Sequence, residues 1–317
     1  MLSFFTRKNL PWIYFISMAF FIALHIGLIF LNYPNNLWIP SYSKDGDLRV
    51  FSLILSFANL SAISFLDYSR LNESKNEIRS SAYVPIWILW NFQLNLINAP
   101  IELQVSTLLF SFFLISWVRI HPNCHPNWIL FSSFNCGLLI LIIPSFFALF
   151  ILLFAGLIFR FKALLHSISL LLFGSIMPIY LYFLGHYLFL GTFPLLDFET
   201  ELPFWFNQAN LGQLGVLNSS IMIALGLLGL SLIFTTRSTD ASFTFLTKTN
   251  WVYLFIFLIS ELWLFERDFW PLFVIISPLL SLISSKTLEW FNGHWFGDLI
   301  TWTIFLLFLV QQYQRVT

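Results

Sequence analysis

Charged side chains are few in this chain, and the acids among them are the groups best suited to chemistry. Glu261 lies well inside an apolar stretch, between Trp251 and Leu264, with Glu266-Arg267-Asp268 just beyond. A carboxylate inside a bilayer is costly, and it faces a bundle interior or an aqueous cavity unless it reaches water at a helix end or pairs with a base such as Arg267. Asp45 and Asp47 stand in the segment Lys44-Asp45-Gly46-Asp47, and Glu102 opens a later apolar segment. If Asp45 or Asp47 approaches Glu102 and Arg267, the site acquires a general base, or a pair of metal-binding carboxylates, and a cation for a phosphate. Asp45, Asp47 and Glu261 are therefore the candidate catalytic residues. Glu102, Arg267, Asp268, Asn91 and Asn95 are the candidate substrate-binding residues.

Asn91, Asn95 and Asn98 recur at i, i+4 and i+7, which places three amides on one helical face, and Ser52, Ser56 and Asn59 repeat the pattern one segment earlier. Such stripes face protein rather than lipid. They either glue helices together, at about 0.6 kcal/mol per hydrogen bond, or line a substrate pocket. His121-Pro122-Asn123-Cys124-His125-Pro126-Asn127 brings two histidines and a cysteine close together, but the doubled His-Pro-Asn unit is turn chemistry and lacks the paired ligand sets of a zinc module. No metal or cofactor is assigned from these residues.

The elements that must position these groups are membrane helices. Of the 317 residues 58% are hydrophobic and 9% charged, with 40 Phe and 13 Trp, against about 25% charged residues in a soluble domain. The 15 basic and 15 acidic residues cancel, so no surplus of positive charge is available for a nucleic-acid backbone. Cys124 and Cys136 cannot build a disulfide framework and read as packing residues. Trp128 to Leu190 runs almost without a break through aliphatic and aromatic residues, interrupted only by Pro144, by Arg160, Lys162 and His166, and by Pro178. A hydrocarbon core of about 30 Å takes roughly 20 apolar residues per helix and tolerates no unpaired backbone, so this run must be several helices.

Read in order, the chain predicts spans at Pro11–Leu31, Arg49–Leu66, Tyr83–Ile97 and Ile101–Val118. Two short crossings follow within Trp128–Phe159, broken at Pro144, and then Leu164–Leu190, Gly215–Phe234, Trp251–Leu264, Phe269–Ile283 and Trp295–Val310. One long tilted helix over Trp128–Phe159 is the competing reading. Asn32–Leu48, Asp67–Arg79, Gly191–Gly212 and the stretch holding Lys286, Glu289 and His294 read as loops. The expected fold class is all-α, a polytopic bundle of about eleven transmembrane helices (ten to twelve) forming one integral-membrane domain over residues 1–317, with a cytoplasmic N-terminus. That topology places Arg7, Lys8, Arg70, Lys75, Arg79, Arg119, Arg160, Lys162, Arg237, Lys248 and Lys286 inside, and only Lys44, Arg49, Arg267 and Arg315 outside, as the positive-inside rule expects. The outer face then collects Asp45, Asp47, Glu102, Asp197, Glu199, Glu201, Glu266 and Asp268.

Ser3-Phe4-Phe5-Thr6-Arg7-Lys8-Asn9, the Phe134-Asn135-Cys136-Gly137 segment ending in Arg160-Phe161-Lys162, the Leu171–Leu184 helix with Gly174 and Pro178, and Ile276-Ser277-Pro278-Leu279-Leu280 resemble an uncharacterised family of multi-pass inner-membrane proteins from Bacteroidota, across essentially the whole chain. At greater distance the order of parts resembles membrane glycosyltransferases of the GT-C type, with an outer-loop acid after the first helix, short paired helices in the middle and a late proline-bearing helix preceded by charges. That resemblance implies a bacterial inner-membrane location, a catalytic acid in the first outer loop and a sugar donor carried on a polyprenyl phosphate. Three functions follow as expectations: transfer of a lipid-linked sugar on the outer face, a non-enzymatic subunit or scaffold of a cell-envelope complex, or a transporter. The absence of matching interrupted helices in two halves argues against the last. Membrane lipids, a polyprenyl-phosphate-linked substrate and envelope-complex proteins are the expected partners, and nucleic acid is not.

Overall fold

The structure is a computed structural model that describes residues 46–73, 83–93, 101–120, 125–158, 164–192 and 274–290, together with 19, 23, 221, 224–229, 231–232, 299, 303, 306 and 310. Among the described residues the regular structure is helical throughout, with no strand. The helices are α1 (Gly46–Glu73), α2 (Tyr83–Gln93), α3 (Ile101–Val118), α4 (Pro126–Ile142), α5 (Phe147–Ile158), α6 (Leu164–Leu190) and α7 (Ser277–Trp290), and a single 3₁₀ turn, Pro144–Phe146, joins α4 to α5. The chain divides into two compact units, the boundary falling within α3. Unit 1 comprises Met1–Thr107, Gln208–Thr236 and Phe273–Thr317, and unit 2 comprises Leu108–Asn207 and Arg237–Leu272.

Several helices end where local chemistry says they should. His125 caps α4 by accepting a 3.3 Å hydrogen bond from the Asn127 backbone N–H through Nδ1, and Pro126 follows in the first turn, where its missing N–H costs nothing. The His-Pro-Asn unit is thus a helix start at its second copy. Pro85 sits in the first turn of α2 on the same grounds. At the other end of α4 the backbone turns extended at Ile143, and Pro144 opens the 3₁₀ turn, so Trp128–Phe159 is two helices rather than one. α3 and α6 match the predicted spans Ile101–Val118 and Leu164–Leu190.

Three predicted loops need correction. α1 starts at Gly46 and continues to Glu73, so Asp47 is helical and Asp67–Glu73 extend the helix instead of leaving it. The stretch has no glycine or proline after Gly46, and Arg, Leu and Glu are good helix formers. Lys286 and Glu289, read as part of a loop, lie in α7 for the same reason: charge marks a preference for water, not a backbone conformation.

In unit 1, α2 packs against α1 and α7. The Tyr83 hydroxyl donates to the Pro278 carbonyl at 3.0 Å, the Thr107 hydroxyl approaches the Val274 carbonyl at 3.4 Å, and the Thr287 hydroxyl donates to the Leu225 carbonyl at 2.6 Å. α1 buries Ser56 and Asn59 beside Leu55, Leu60, Ile63 and Leu66, while Phe51, Ile54, Phe57 and Phe65 are exposed.

In unit 2, α4 and α6 meet along small residues. A side chain at Gly137 would overlap the Ser175 carbonyl oxygen, and one at Gly174 would stand 2.8 Å from Ser133 Cβ and 2.9 Å from the Leu130 carbonyl. Backbone meets backbone here, as in membrane helix pairs built on small residues. α5 packs on both α4 and α6. Gly156 faces the Trp117 ring, which stacks on Phe113, itself stacked on Phe110. The Arg119 guanidinium lies 4.3 Å from the Trp128 ring centroid, within cation–π range.

Among the described residues one helix, Leu165–Leu190, is long and apolar enough to cross a membrane. α2 with 11 residues and α5 with 12 span only about 16 and 18 Å at 1.5 Å per residue, short of a hydrocarbon core of about 30 Å.

Candidate functional site

Two of the candidate acids stand at the starts of separate helices. Asp47 is the second residue of α1, and Glu102, exposed, is the second residue of α3. A carboxylate in the first turn is favoured by the partial positive charge of the helix N-terminus, by about 0.3–1 kcal/mol, so Glu102 has a structural rationale of its own. Asp45, Asn95, Glu261, Arg267 and Asp268 lie outside the described residues, as does Asn98. No group of three or more His, Cys, Asp or Glu side chains among the described residues is placed to hold a metal ion.

The amide candidates are better defined. Asn59 is fully buried, and its Nδ2 donates to two carbonyls, Leu55 on its own helix and Gln104 on α3, each at 3.1 Å. Two acceptors fix the orientation of the amide, since a flipped group would point its oxygen at both of them. This is helix glue in the sense the stripe predicts. Asn91, on α2, is equally buried, yet neither its Nδ2 nor its Oδ1 has a hydrogen-bond partner among the described residues. The Ser56 hydroxyl, the Asn59 Oδ1, the Trp90 indole N–H and the Ser277 and Ser284 hydroxyls share that state, all in unit 1. Set against known proteins, the chain matches no family model, no curated protein and no solved structure. The chemistry must therefore be read from these groups themselves.

Every polar residue buried among the described residues is neutral: Ser, Thr, Asn or Gln. The interior of unit 1 offers amides and hydroxyls, which donate and accept hydrogen bonds but neither titrate near neutral pH nor attract a phosphate. Sequence reasoning singled out Asn91, Asn59 and Ser56, and its span Phe269–Ile283 covered the first half of α7, but the polar stripe there was missed. Ser277, Ser281, Ser284 and Ser285 are all buried, at i, i+4, i+7 and i+8, the same signal that marked the other two stripes. The predicted span ended at Ile283, before the charges Lys286 and Glu289, so only Ser277 and Ser281 of the stripe fell within it. Cys136, on α4, is a buried free thiol among packing residues.

Proposed function

We propose that the chain is a multi-pass helical protein of the bacterial inner membrane, with about eleven spans and a cytoplasmic N-terminus. The observation that carries this reading is the surface of α6. Leu165, Phe173, Ile176, Tyr180, Leu188 and Phe189 are exposed, Leu165 and Phe189 by 86% and 89%, while the buried positions are Ser167, Leu171, Gly174, Ser175 and Pro178. Apolar surface in water is unfavourable by about 25 cal/mol per Å², and a helix that presents aromatics outward and small residues inward suits lipid. The exposed Phe51, Ile54, Phe57 and Phe65 of α1 support the same environment.

Within that membrane we infer the transfer of a sugar from a polyprenyl-phosphate carrier at the outer face. A carboxylate, Asp47 or Glu261, accepts the proton of the acceptor hydroxyl as its oxygen attacks the anomeric carbon and the lipid phosphate departs. Support comes from the expected crowding of acids on the outer face and from the resemblance to GT-C enzymes. A second reading, a scaffold subunit of an envelope complex, is favoured by the outward side chains of α6, which partner helices cover as well as lipid does. Complementation of a deletion strain separates the two. The enzyme reading expects Asp47→Asn or Glu261→Gln to abolish rescue at unchanged protein level, since loss of a general base costs about 10²- to 10⁴-fold in rate. Full rescue by both variants leaves the scaffold.

A further inference from the structure

Ser167, Leu171, Gly174 and Pro178 recur on α6 at i, i+4, i+7 and i+11, and all four are buried, which makes them the seam of a packed helix. The same spacing continues through Leu181, Gly185 and Leu188. There the seam has no partner: both leucines are exposed, and nothing lies within 4 Å of a side chain built at Gly185. The register of the two helices explains the change. Gly174 lies beside Leu130, Ser133 and Phe134, and Gly137 beside Ser175 and Pro178, so α4 and α6 run parallel. From Ser133 to the end of α4 at Ile142 is about 13 Å, and from Gly174 to the end of α6 at Leu190 is about 24 Å, at 1.5 Å per residue. α6 therefore outruns α4 by about 10 Å, of which the Pro144–Phe146 turn fills part before α5 begins. The outrunning end stays apolar through Leu188, Phe189 and Leu190, all exposed, until Gly191 stops the helix with a left-handed φ of 69°.

We propose that the acyl chain of a phospholipid occupies the recess between this end of α6 and the tip of the α4–α5 hairpin, lying along Leu181, Gly185 and Leu188. The site rests on the membrane reading and belongs to the leaflet where α6 ends, the outer one in the proposed topology. The face carries no charge and no hydrogen-bonding side chain, so it suits hydrocarbon and nothing polar. Depth selects a lipid over a helix. One leaflet is half of a hydrocarbon core of about 30 Å, so a chain that enters from the nearer surface and stops at the hairpin tip fits the recess. A transmembrane helix on the same face would run into α4. A second copy meets that obstacle too, because copies in one membrane run parallel, and its α6 laid on this face would take the place of α4.

Quenching of a bimane on a single cysteine, in full-length protein in phosphatidylcholine nanodiscs with Cys124 and Cys136 replaced by alanine, tests this. The cysteine is placed by Gly185→Cys, by Leu188→Cys as a second probe of the recess, or by Ile176→Cys, a position exposed on the opposite side of α6. Phosphatidylcholine with a doxyl group on its acyl chain quenches from lipid, and iodide quenches from water. Doxyl quenching several-fold stronger than iodide quenching is expected at all three positions, with a doxyl near the headgroup acting more strongly on the Gly185 and Leu188 probes than on the Ile176 probe. Iodide quenching at Gly185 and Leu188 with lipid quenching retained at Ile176 overturns the proposal alone. So do recess probes that neither quencher reaches, because protein then covers the face. Iodide quenching at Ile176 as well overturns the membrane reading itself.

Discussion

Replacing Gly137 with alanine adds one methyl group where α4 meets α6, and that methyl has nowhere to go. Its carbon would overlap the Ser175 carbonyl oxygen and lie 3.1 Å from Pro178 Cγ. The obstructing atoms are main chain and a proline ring, so no rotamer change relieves them. The two helices must separate by about 1 Å, and a gap of 0.5–1 Å forfeits a quarter to a half of each dispersion contact along the seam. With about twenty such contacts at 0.1–0.2 kcal/mol each, that loss is roughly 0.5–2 kcal/mol, and overpacking strain adds about 1–3 kcal/mol. A destabilisation of about 2–4 kcal/mol is expected. Gly185, on the partner helix α6, supplies the control, since nothing lies within 4 Å of a side chain built there, and Gly185→Ala is expected to be neutral or stabilising by up to about 1 kcal/mol. Reversible unfolding in mixed detergent micelles, titrated with sodium dodecyl sulfate, measures both. Equal stability of the two variants would refute the backbone-to-backbone seam.

Asn59→Leu removes two hydrogen bonds to carbonyls, so the same titration should show a loss of about 1 kcal/mol at roughly 0.6 kcal/mol per bond; a gain in stability would mean that these bonds are not formed. Gly156→Ala meets the Trp117 ring at 2.9 Å, and a cost of about 1–3 kcal/mol with a shifted tryptophan emission maximum is expected, whereas an unchanged spectrum would place the ring elsewhere. For the proposed topology, single cysteines at Ser74 and Thr200 in a background with Cys124 and Cys136 replaced by alanine should differ in labelling by an impermeant thiol reagent on intact cells, Thr200 reacting and Ser74 protected; equal labelling contradicts the orientation.

What the sequence by itself determined is the helical class and the bounds of those helices that end at a proline or at the end of an apolar run. Leu164–Leu190 and Ile101–Val118 coincide with α6 and α3, and Pro144 marks the break between α4 and α5, because apolar run length and missing N–H groups act within a few residues of where they are read. Asp67–Glu73 and Lys286 were misplaced in loops because polarity reports solvent preference, and a helix can carry it. Only the tertiary structure distinguished residues that look alike in sequence. Gly137 and Gly185 are both glycines in apolar helices, yet one is closed by a neighbouring carbonyl and the other faces open space. Asn59 and Asn91 both sit in polar stripes and both are buried, yet one amide reaches two carbonyls and the other reaches none. Spacing along a helix decides which face a side chain is on; which atoms wait on the far side of that face depends on segments distant in the chain, and packing alone brings them there.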